Sequence, residues 1–479
     1  MRWFCLLMSA NVVLWWSLSN WPRACSIPGQ KPNILFLMTD DQGPWALGLS
    51  GQSLARTPHL DRLFREGAYF VNAFCPTPVC SPSRAAILTS RYGSEVGITD
   101  WIHPKKEPDV GLSTEFLTWP RLLRQAGYAT GLIGKWHLGT QPRFHPQQHG
   151  FDYFFGFLEG SSAPYDPILE ENGQPVKCTG YHSDLLTDKA LEFLSKHRER
   201  PFALCVHYRE PHAPYTPQPK ADAAVFRQLE IRPPDPGIPN LNTALVVRAM
   251  RDYLGCVHAV DRNVGRILEH LDRLRLTEKT LVIFTSDNGY NIGHHGIWHK
   301  GNGTWMVSKR PPGTADIPAN CRPNMFDTSL KVPTAMRWPS RIRPGQRISH
   351  TITHLDWFPT ICAAAQVAIP PNTLIRGRSL FELLDGNARQ WNNDYYGEYS
   401  LHLDARAHLR CYRTPRWKLV RDFLHPERDE FYDLTKDPDE KHNLIHDQSP
   451  EVRQAVQTLD AHLISRMRQL RDPILKLTR

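Results

Sequence analysis

Residues 75–92 read CPTPVCSPSRAAILTSRY, and the rest of the chain is organised around this stretch. Proline is favoured in the first turn of a helix, and the AAIL run that follows propagates a helix well. The stretch therefore predicts a helix that begins at Cys80. Free backbone N–H groups at a helix N-terminus favour an anion, and Arg84 adds a permanent positive charge one turn further on. This arrangement suits a nucleophile that faces a tetrahedral oxyanion.

Length and composition exclude a disordered chain. The 479 residues are 41% hydrophobic and 22% charged, which leaves room for a large core and predicts two domains. The formal net charge of +9 and the 22 histidines favour an anionic partner, although a basic soluble surface accounts for them equally well. No run of Lys and Arg and no basic-aromatic cluster marks a nucleic-acid module, so no nucleic-acid partner is predicted.

Residues 1–28 are predicted to be an export signal. Arg2 supplies the positive start, Trp3–Trp16 is mostly apolar, and small residues follow near Cys25. The mature chain is expected to be exported, either periplasmic or secreted. An uncleaved anchor and a lipoprotein cleavage at Cys25 are the weaker alternatives, and no later segment is apolar enough for a stable membrane span.

The cysteines show no metal-ligand spacing. Cys205, Cys256 and Cys362 lie in apolar stretches, which favours core thiols over disulfides even in an exported protein.

Strands and helices alternate along the chain, which predicts an α/β fold with a large, mainly parallel sheet between helices. Asn33–Met38 is an almost continuous apolar run, typical of a buried parallel strand, and Leu281–Thr285 repeats the pattern.

Both apolar runs end in oxygen ligands. Asp40 and Asp41 follow the first run, and Asp287 and Asn288 follow the second. Adjacent carboxylates after a buried strand are costly unless a positive charge lies between them, although a solvated turn is the simpler alternative. Three carboxylates and one amide suit a hard cation, calcium or magnesium, and do not suit zinc.

The residues Cys80, Pro82 and Arg84 resemble the signature of the type I sulfatases, in which the cysteine is oxidised to formylglycine. Ser90 departs from it, since glycine usually stands there. Gly127–Gly139, with the sequence GYATGLIGKWHLG, resembles the second sulfatase signature. The resemblance continues in order along most of the mature chain, and it implies an alkaline-phosphatase-like fold and a sulfuric ester hydrolase.

The resemblance also implies the site residues. A calcium ion would be held by Asp40, Asp41, Asp287, Asn288 and the modified Cys80. Arg84, Lys135 and Lys300 would neutralise the sulfate while the hydrated aldehyde attacks sulfur. His212 or Lys300 would protonate the departing alcohol, and His137 would act as base when the sulfate is released. An enzyme that matures Cys80 is an implied partner.

Other histidines are less certain. His207 is expected to be a structural strand residue, whereas His294, His295 and His299 are each ambiguous between a substrate contact and a supporting role.

Near residue 371 the sequence changes to short alternating stretches joined by turns, and the domain boundaries follow from that change. We predict a signal peptide at 1–28, a sulfatase catalytic domain at 29–370 and a C-terminal subdomain at 371–479. That subdomain is expected to contain a small antiparallel sheet and a last helix with one apolar face.

Two alternatives to a sulfatase stay open at this point. A phosphomonoester or phosphonate hydrolase would share the fold, but the zinc ligands of such enzymes are missing from the matching places. An inactive protein that binds sulfated glycans would leave Cys80 unmodified.

The substrate is expected to be a sulfated carbohydrate rather than a steroid or lipid sulfate. Selectivity would come from the loops Gln141–Tyr181, Arg209–Asn240 and Gly301–Asn324. Aromatic side chains in them offer flat faces for sugar rings unless they only pack the loops: Tyr153, Phe154, Phe155, Phe157, Tyr165 and Trp305. Cationic side chains would take further sulfates: Lys309, Arg310 and Arg322.

Overall fold

A computed structural model of the protein describes residues 31–51, 54–310, 314, 317 and 321–476. The predicted signal peptide, residues 1–28, lies outside the described residues. Within those ranges, no helix is both long enough and apolar enough to cross a membrane.

The described chain alternates between strands and helices. The strands, in chain order, are β1 (Asn33–Thr39), β2 (Ala68–Phe74), β3 (Ala129–Lys135), β4 (Tyr153–Phe157), β5 (Ile168–Glu171), β6 (Gln174–Lys177), β7 (Phe202–His207), β8 (Thr280–Ser286), β9 (Asn291–Ile292), β10 (Ile297–His299), β11 (Asn302–Trp305), β12 (Arg322–Pro323), β13 (Ala335–Arg337), β14 (Gln346–Thr353), β15 (Tyr395–Leu401), β16 (Ala407–Arg413), β17 (Trp417–Asp422) and β18 (Glu430–Asp433). The α-helices are α1 (Pro58–Glu66), α2 (Cys80–Thr89), α3 (Gly93–Val96), α4 (Trp119–Gln125), α5 (His182–Lys196), α6 (Lys220–Ala224), α7 (Thr243–Arg273), α8 (Asp327–Leu330), α9 (Trp357–Ala365), α10 (Phe381–Leu384) and α11 (Pro450–Leu470).

The predicted large sheet is confirmed. Ten strands lie in the order β14-β2-β13-β8-β1-β7-β3-β4-β5-β6, and β9–β12 form a small separate sheet. The central pairs β8·β1, β1·β7, β7·β3 and β3·β4 are all parallel, whereas β13 and the outer strands β5 and β6 pair antiparallel. The two apolar runs predicted as strands are β1 and β8.

Helices cover both faces of this sheet because β1 is apolar on both sides. Phe36 packs on one face with Trp119 of α4 and Trp357 of α9. Leu35 faces the other way, into a cluster that includes Leu63 of α1 and Val264 of α7. Helices on both faces leave the carboxyl ends of the parallel strands as the edge where a ligand can bind.

Helix α2 begins at Cys80, as predicted, and ends at Ser90, whose φ of 55° is left-handed. Glycine adopts that conformation most easily, which explains why the signature usually has glycine at this position. Ser90 is buried and donates from Oγ to Leu355 O at 2.7 Å. The same hydroxyl accepts from the backbone N–H of Gly377 at 2.9 Å. These bonds hold the end of the helix in place.

The C-terminal part forms the predicted antiparallel sheet, β15-β16-β17-β18, with α11 packed on it. A buried ion-pair cluster joins the sheet to α8, because Lys418 and Arg413 both contact the Asp327 carboxylate. The predicted boundary at residues 370 and 371 lies between α9 and α10.

Candidate active site

The ends of β1 and β8 bring the predicted oxygen ligands together. These strands are parallel neighbours with Thr39 opposite Ser286, so the residues that follow them meet at one edge. Carboxylate oxygens of Asp40, Asp41 and Asp287 all lie within 4.8 Å of one another, and all three residues are buried. The Asn288 amide donates to Asp41 Oδ1 at 2.7 Å.

Each of these carboxylates contacts a buried cation. The pairs are Lys135 Nζ with Asp40 Oδ2 at 2.6 Å, Arg84 Nη2 with Asp287 Oδ2 at 2.8 Å, and Lys300 Nζ with Asp41 Oδ1 at 2.5 Å. Three carboxylates therefore face three cations, and the cluster of side chains is neutral as it stands.

The Asp40 and Asp41 carboxylates stay ionised despite their burial. Burial alone would raise the pKa of Asp40, but the ammonium of Lys135, with help from Arg84, lowers it to about 2. Burial opposes the same effect at Asp41, whose pKa is lowered by the Lys300 ammonium. The cluster is thus a set of charged oxygens at neutral pH.

Cys80 stands at the start of α2 beside these charges. Its side chain is 2% exposed, and its Sγ lies 2.8 Å from Lys300 Nζ. Burial raises the pKa of the Cys80 thiol to about 11, even though Lys135 and Lys300 oppose the rise.

The two predicted histidines flank this position as neutral rings. His137 Nε2 lies 3.1 Å from the carbonyl of Ile102, and burial followed by the Lys135 charge lowers the pKa of the ring well below its usual value. Burial lowers the pKa of His212 to about 4, although Asp40 and Asp41 oppose the shift. His212 Nε2 is 3.8 Å from Asp41 Oδ2, so a neutral ring makes this an approach and not an ion pair.

A cavity of about 630 Å³ opens above Cys80. Its described lining combines the predicted catalytic groups with side chains from several distant segments: Asp41, Cys80, Trp101, His103, Pro104, His137, Glu159, Gly160, Ser161, His212, His299, Lys300, Asn302, Thr304, Cys321 and Asp404. This volume fits a small ligand or one to two sugar rings.

The three histidines whose role was ambiguous differ in whether they belong to the described lining of the cavity. His299 lines the cavity and stacks on Trp298 at 5.1 Å between ring centroids. His295 instead stacks on Phe326 at 3.7 Å, and His294 packs against Trp45, so neither is part of the cavity lining. His207 ends β7 and its Nδ1 lies 3.1 Å from the Lys135 carbonyl, which confirms the structural role predicted for it.

The predicted aromatic rim is largely wrong. Phe154, Phe155 and Phe157 belong to β4 and are 0%, 2% and 7% exposed. An inner strand between β3 and β5 buries its side chains on both faces, so these rings pack the core. Tyr165 packs on Tyr181, and none of these rings lines the cavity.

The predicted basic rim is also wrong. Arg322 is held by Glu430 and lies over the ring of Phe326. Arg310 donates to the carbonyls of Thr314 and Ile317. Lys309 is exposed and outside the described cavity lining.

Some functional positions could not be anticipated from the sequence. His354 Nδ1 lies 2.8 Å from Ser83 Oγ, and that hydroxyl donates to the Asp287 carbonyl at 2.5 Å, which steadies α2 against β8. Trp101, Glu159 and Asp404 line the cavity although no motif marks them.

Three residues around the cavity have a strained, left-handed backbone conformation. Asp41, His137 and His299 have φ values of 69°, 57° and 73°. Left-handed φ is uncommon outside glycine and costs about 1–3 kcal/mol where the surroundings hold it. Three such residues around one cavity indicate a site whose side chains are aimed by the fold.

A substitution at Gly160 tests whether the fold positions the His137 ring. A Cβ atom at Gly160 would lie 2.7 Å from His137 Nε2, so the ring has to shift in Gly160→Ala. We expect kcat/KM for an aryl sulfate to fall roughly 10–100-fold, which is part of the ~10²–10⁴-fold that a proton-transfer group contributes. Gly237→Ala is the control, since a Cβ there meets nothing within 4 Å. Equal rates in the two variants would show that His137 is not positioned by this contact.

The residues present fit a hard cation. Asp40 Oδ1 and Asn288 Oδ1 are buried without a hydrogen-bond partner, and both belong to the acidic cluster. Buried oxygens without partners are costly unless something satisfies them. Oxygen donors of this kind suit calcium better than zinc.

The comparisons with known proteins agree with this site. Residues 32–367 match the family model described as Sulfatase, and residues 322–472 match the one described as N-sulphoglucosamine sulphohydrolase, C-terminal. The N-acetylglucosamine-6-O-sulfatase of Bacteroides thetaiotaomicron is 28% identical over 87% of this chain and 83% of its own. Human steryl-sulfatase is 29% identical over 83% of this chain and 77% of its own.

One solved structure extends the likeness to the fold. It shows a protein in complex with its substrate D-glucosamine-2-N,6-O-disulfate and has a TM-score of 0.78 at 26% identity, covering 93% of this chain and 99% of that one. The fold and site define a member of the alkaline-phosphatase-like superfamily. Within it, the chain belongs to the sulfatase family and is a sulfuric ester hydrolase.

Proposed function

We propose that this sulfatase removes sulfate from a sulfated sugar, with Cys80 in its formylglycine form as nucleophile and with a bound calcium ion. The observation that carries the proposal is the position of Cys80. It lies at the floor of the cavity, 2.8 Å from Lys300 Nζ, beside the acidic cluster formed by Asp40, Asp41 and Asp287.

The unpartnered buried oxygens of the cluster, Asp40 Oδ1 and Asn288 Oδ1, support a cation. Asp40, Asp41, Asp287 and Asn288, with the oxidised Cys80 side chain, would hold it. When bound, calcium supplies positive charge that stabilises negative charge on the sulfate oxygens. Because the side-chain cluster alone is neutral, an added divalent ion makes the site positive and attractive to an anionic ester.

Three cationic side chains prepare the site for sulfate. Arg84, Lys135 and Lys300 are buried and fixed by their carboxylate partners, so they need little reorganisation when charge develops on the substrate. Charge fixed in advance in a water-poor site is usually a large catalytic contribution.

Proton transfer falls to the groups that line the cavity. Lys300, or His212 in its protonated form, would give a proton to the departing alcohol oxygen, since both face the space above Cys80. His137 is the proposed base, and its buried neutral ring can accept a proton. Such general acid–base steps contribute about 10²–10⁴-fold each.

The cavity wall favours a sugar over a steroid. The relatives include both an N-acetylglucosamine-6-O-sulfatase and a steryl-sulfatase, so likeness alone does not choose between them. The walls carry Glu159, Ser161, Asn302, Thr304 and Asp404. Sugar hydroxyls can form hydrogen bonds with these groups, whereas an apolar steroid offers them no partner.

A substrate panel tests the proposal. Free sulfate is measured from sulfated monosaccharides, a steroid sulfate and an aryl sulfate, and free phosphate from the matched aryl phosphate. We expect kcat/KM for the best sugar sulfate to exceed that for the steroid sulfate at least about tenfold, because the steroid cannot replace the hydrogen bonds of the sugar hydroxyls. Efficient release from the steroid alone would contradict the sugar assignment, and a faster aryl phosphate would contradict sulfatase specificity.

Maturation is part of the proposal. An exported chain would meet the enzyme that oxidises Cys80 before its cavity closes, because Cys80 is buried once folded. Peptide mass spectrometry across residues 75–92 is expected to show loss of the thiol sulfur and gain of an aldehyde. An unmodified thiol in an active preparation would contradict the formylglycine nucleophile.

A further inference from the structure

One wall of the cavity comes from the C-terminal sheet. The turn between β15 and β16 is held by Asp100, whose buried carboxylate accepts from the backbone N–H groups of His402 at 2.9 Å and Leu403 at 3.2 Å. The same carboxylate accepts from Tyr399 Oη at 3.1 Å. This turn is therefore a fixed part of the cavity wall.

Asp404, at the tip of that turn, has a defined orientation. Its Oδ2 accepts from Trp101 Nε1 at 3.2 Å and from Asn302 Nδ2 at 2.8 Å, and all three residues line the cavity. A charged acceptor beside an aromatic ring matches a sugar, whose hydroxyl groups donate and whose C–H face packs on the ring.

The wall carries negative charge where the rim was expected to be basic. Apart from Lys300 at the floor, the described lining contains no lysine or arginine, whereas Asp404 and Glu159 bring carboxylates. Lys105 and Lys106 follow Pro104 in sequence but are not part of that lining. A second sulfate on the ring would meet like charge, which is unfavourable for binding.

We propose that Asp404 is the residue that determines specificity for the ring bearing the sulfate. The favoured substrate is a sugar monosulfate whose neighbouring positions carry hydroxyl or amino groups, not a second sulfate. This inference rests on the proposed sugar sulfatase function and adds the class of ring. It also sets this chain apart from the solved relative, whose substrate is a disulfated glucosamine.

The first test is Asp404→Asn, which keeps an acceptor for Trp101 and Asn302 but removes the charge. A hydrogen bond to a charged group is typically stronger than a neutral one, so the ratio of kcat/KM for the sugar monosulfate to that for an aryl sulfate should fall about 10–100-fold. The control is Asp439→Asn, an exposed carboxylate of the same subdomain that pairs with Lys441 outside the cavity. The kcat/KM ratio of this control variant should match that of the wild type.

The second test compares kcat/KM for glucosamine 6-sulfate with kcat/KM for its 2-N,6-O-disulfate. We expect the wild type to favour the monosulfate at least about tenfold, and Asp404→Asn to reduce that preference, because one repulsive charge is gone. An unchanged ratio and an unchanged preference in Asp404→Asn would overturn the inference while leaving the sugar sulfatase intact. If the wild type released sulfate from the aryl ester but from no sugar, the proposed function and this inference would both fall.

Discussion

Cys80→Ala is expected to abolish turnover while the fold stays intact. Loss of a nucleophile from an otherwise complete site costs on the order of 10⁶ in kcat. The change removes one buried sulfur atom but leaves every contact between Arg84, Lys135 and the carboxylate cluster. Sulfate release from an aryl ester, followed together with thermal unfolding, measures both effects.

Cys80→Ser separates attack from release. The serine hydroxyl can form one bond to sulfur as the sulfur–oxygen bond to the alcohol breaks, and the alcohol takes a proton from His212 or Lys300. Serine has no second hydroxyl with which to expel the sulfate, so a sulfate ester on Ser should accumulate. Intact-mass spectrometry after incubation with substrate is expected to show the gain of one SO₃ group per chain.

Cys362→Ala is the matched control for both variants. Cys362 is a buried thiol of α9 that packs in the core under the sheet, outside the described lining of the cavity. It should lose some stability and keep its turnover. Full activity in either Cys80 variant would eliminate this residue as the nucleophile.

The positions of Asp40, Asp287 and Cys80 in the fold could be predicted because they are set locally. Asp40 and Asp287 each follow an apolar run that can only be a buried strand, and parallel strands bring such residues to one edge. Cys80 stands where proline and alanine begin a helix. In these cases the residues that define the element also place the functional group.

The cavity wall could not be predicted because it depends on contacts between distant segments. Phe154 and Phe155 looked like a loop rim, but their burial is decided by β3 and β5 on either side of β4. Asp404 reaches the cavity because Asp100, from the loop between α3 and α4, anchors its turn. Neither relation leaves a pattern in the sequence near those residues.

The second large effect is expected when a residue of the proposed cation site is substituted. Asp287→Asn removes the charge that pairs with Arg84, whose guanidinium is 2% exposed and donates to Asp287 Oδ2 from Nε at 2.9 Å. Breaking a buried pair by removing one partner costs about 3–5 kcal/mol. We therefore expect a clearly lower Tm, together with loss of activity because a cation ligand is gone.

Calcium titration distinguishes the metal site from simple destabilisation. A ligand present at 100 times its Kd stabilises the folded state by about 2.7 kcal/mol, so the wild-type Tm should rise with calcium and fall after chelation. The Asp287→Asn protein should show little of that rise even in excess calcium. Asp261→Asn is the matched control, because Asp261 is buried on α7, burial raises its pKa to about 7, and it contacts only backbone N–H groups of α1 within the described chain. The Asp261→Asn protein should keep the calcium-dependent rise in Tm. If wild-type activity survives exhaustive chelation and elemental analysis finds no metal, the acidic cluster does not work through a cation.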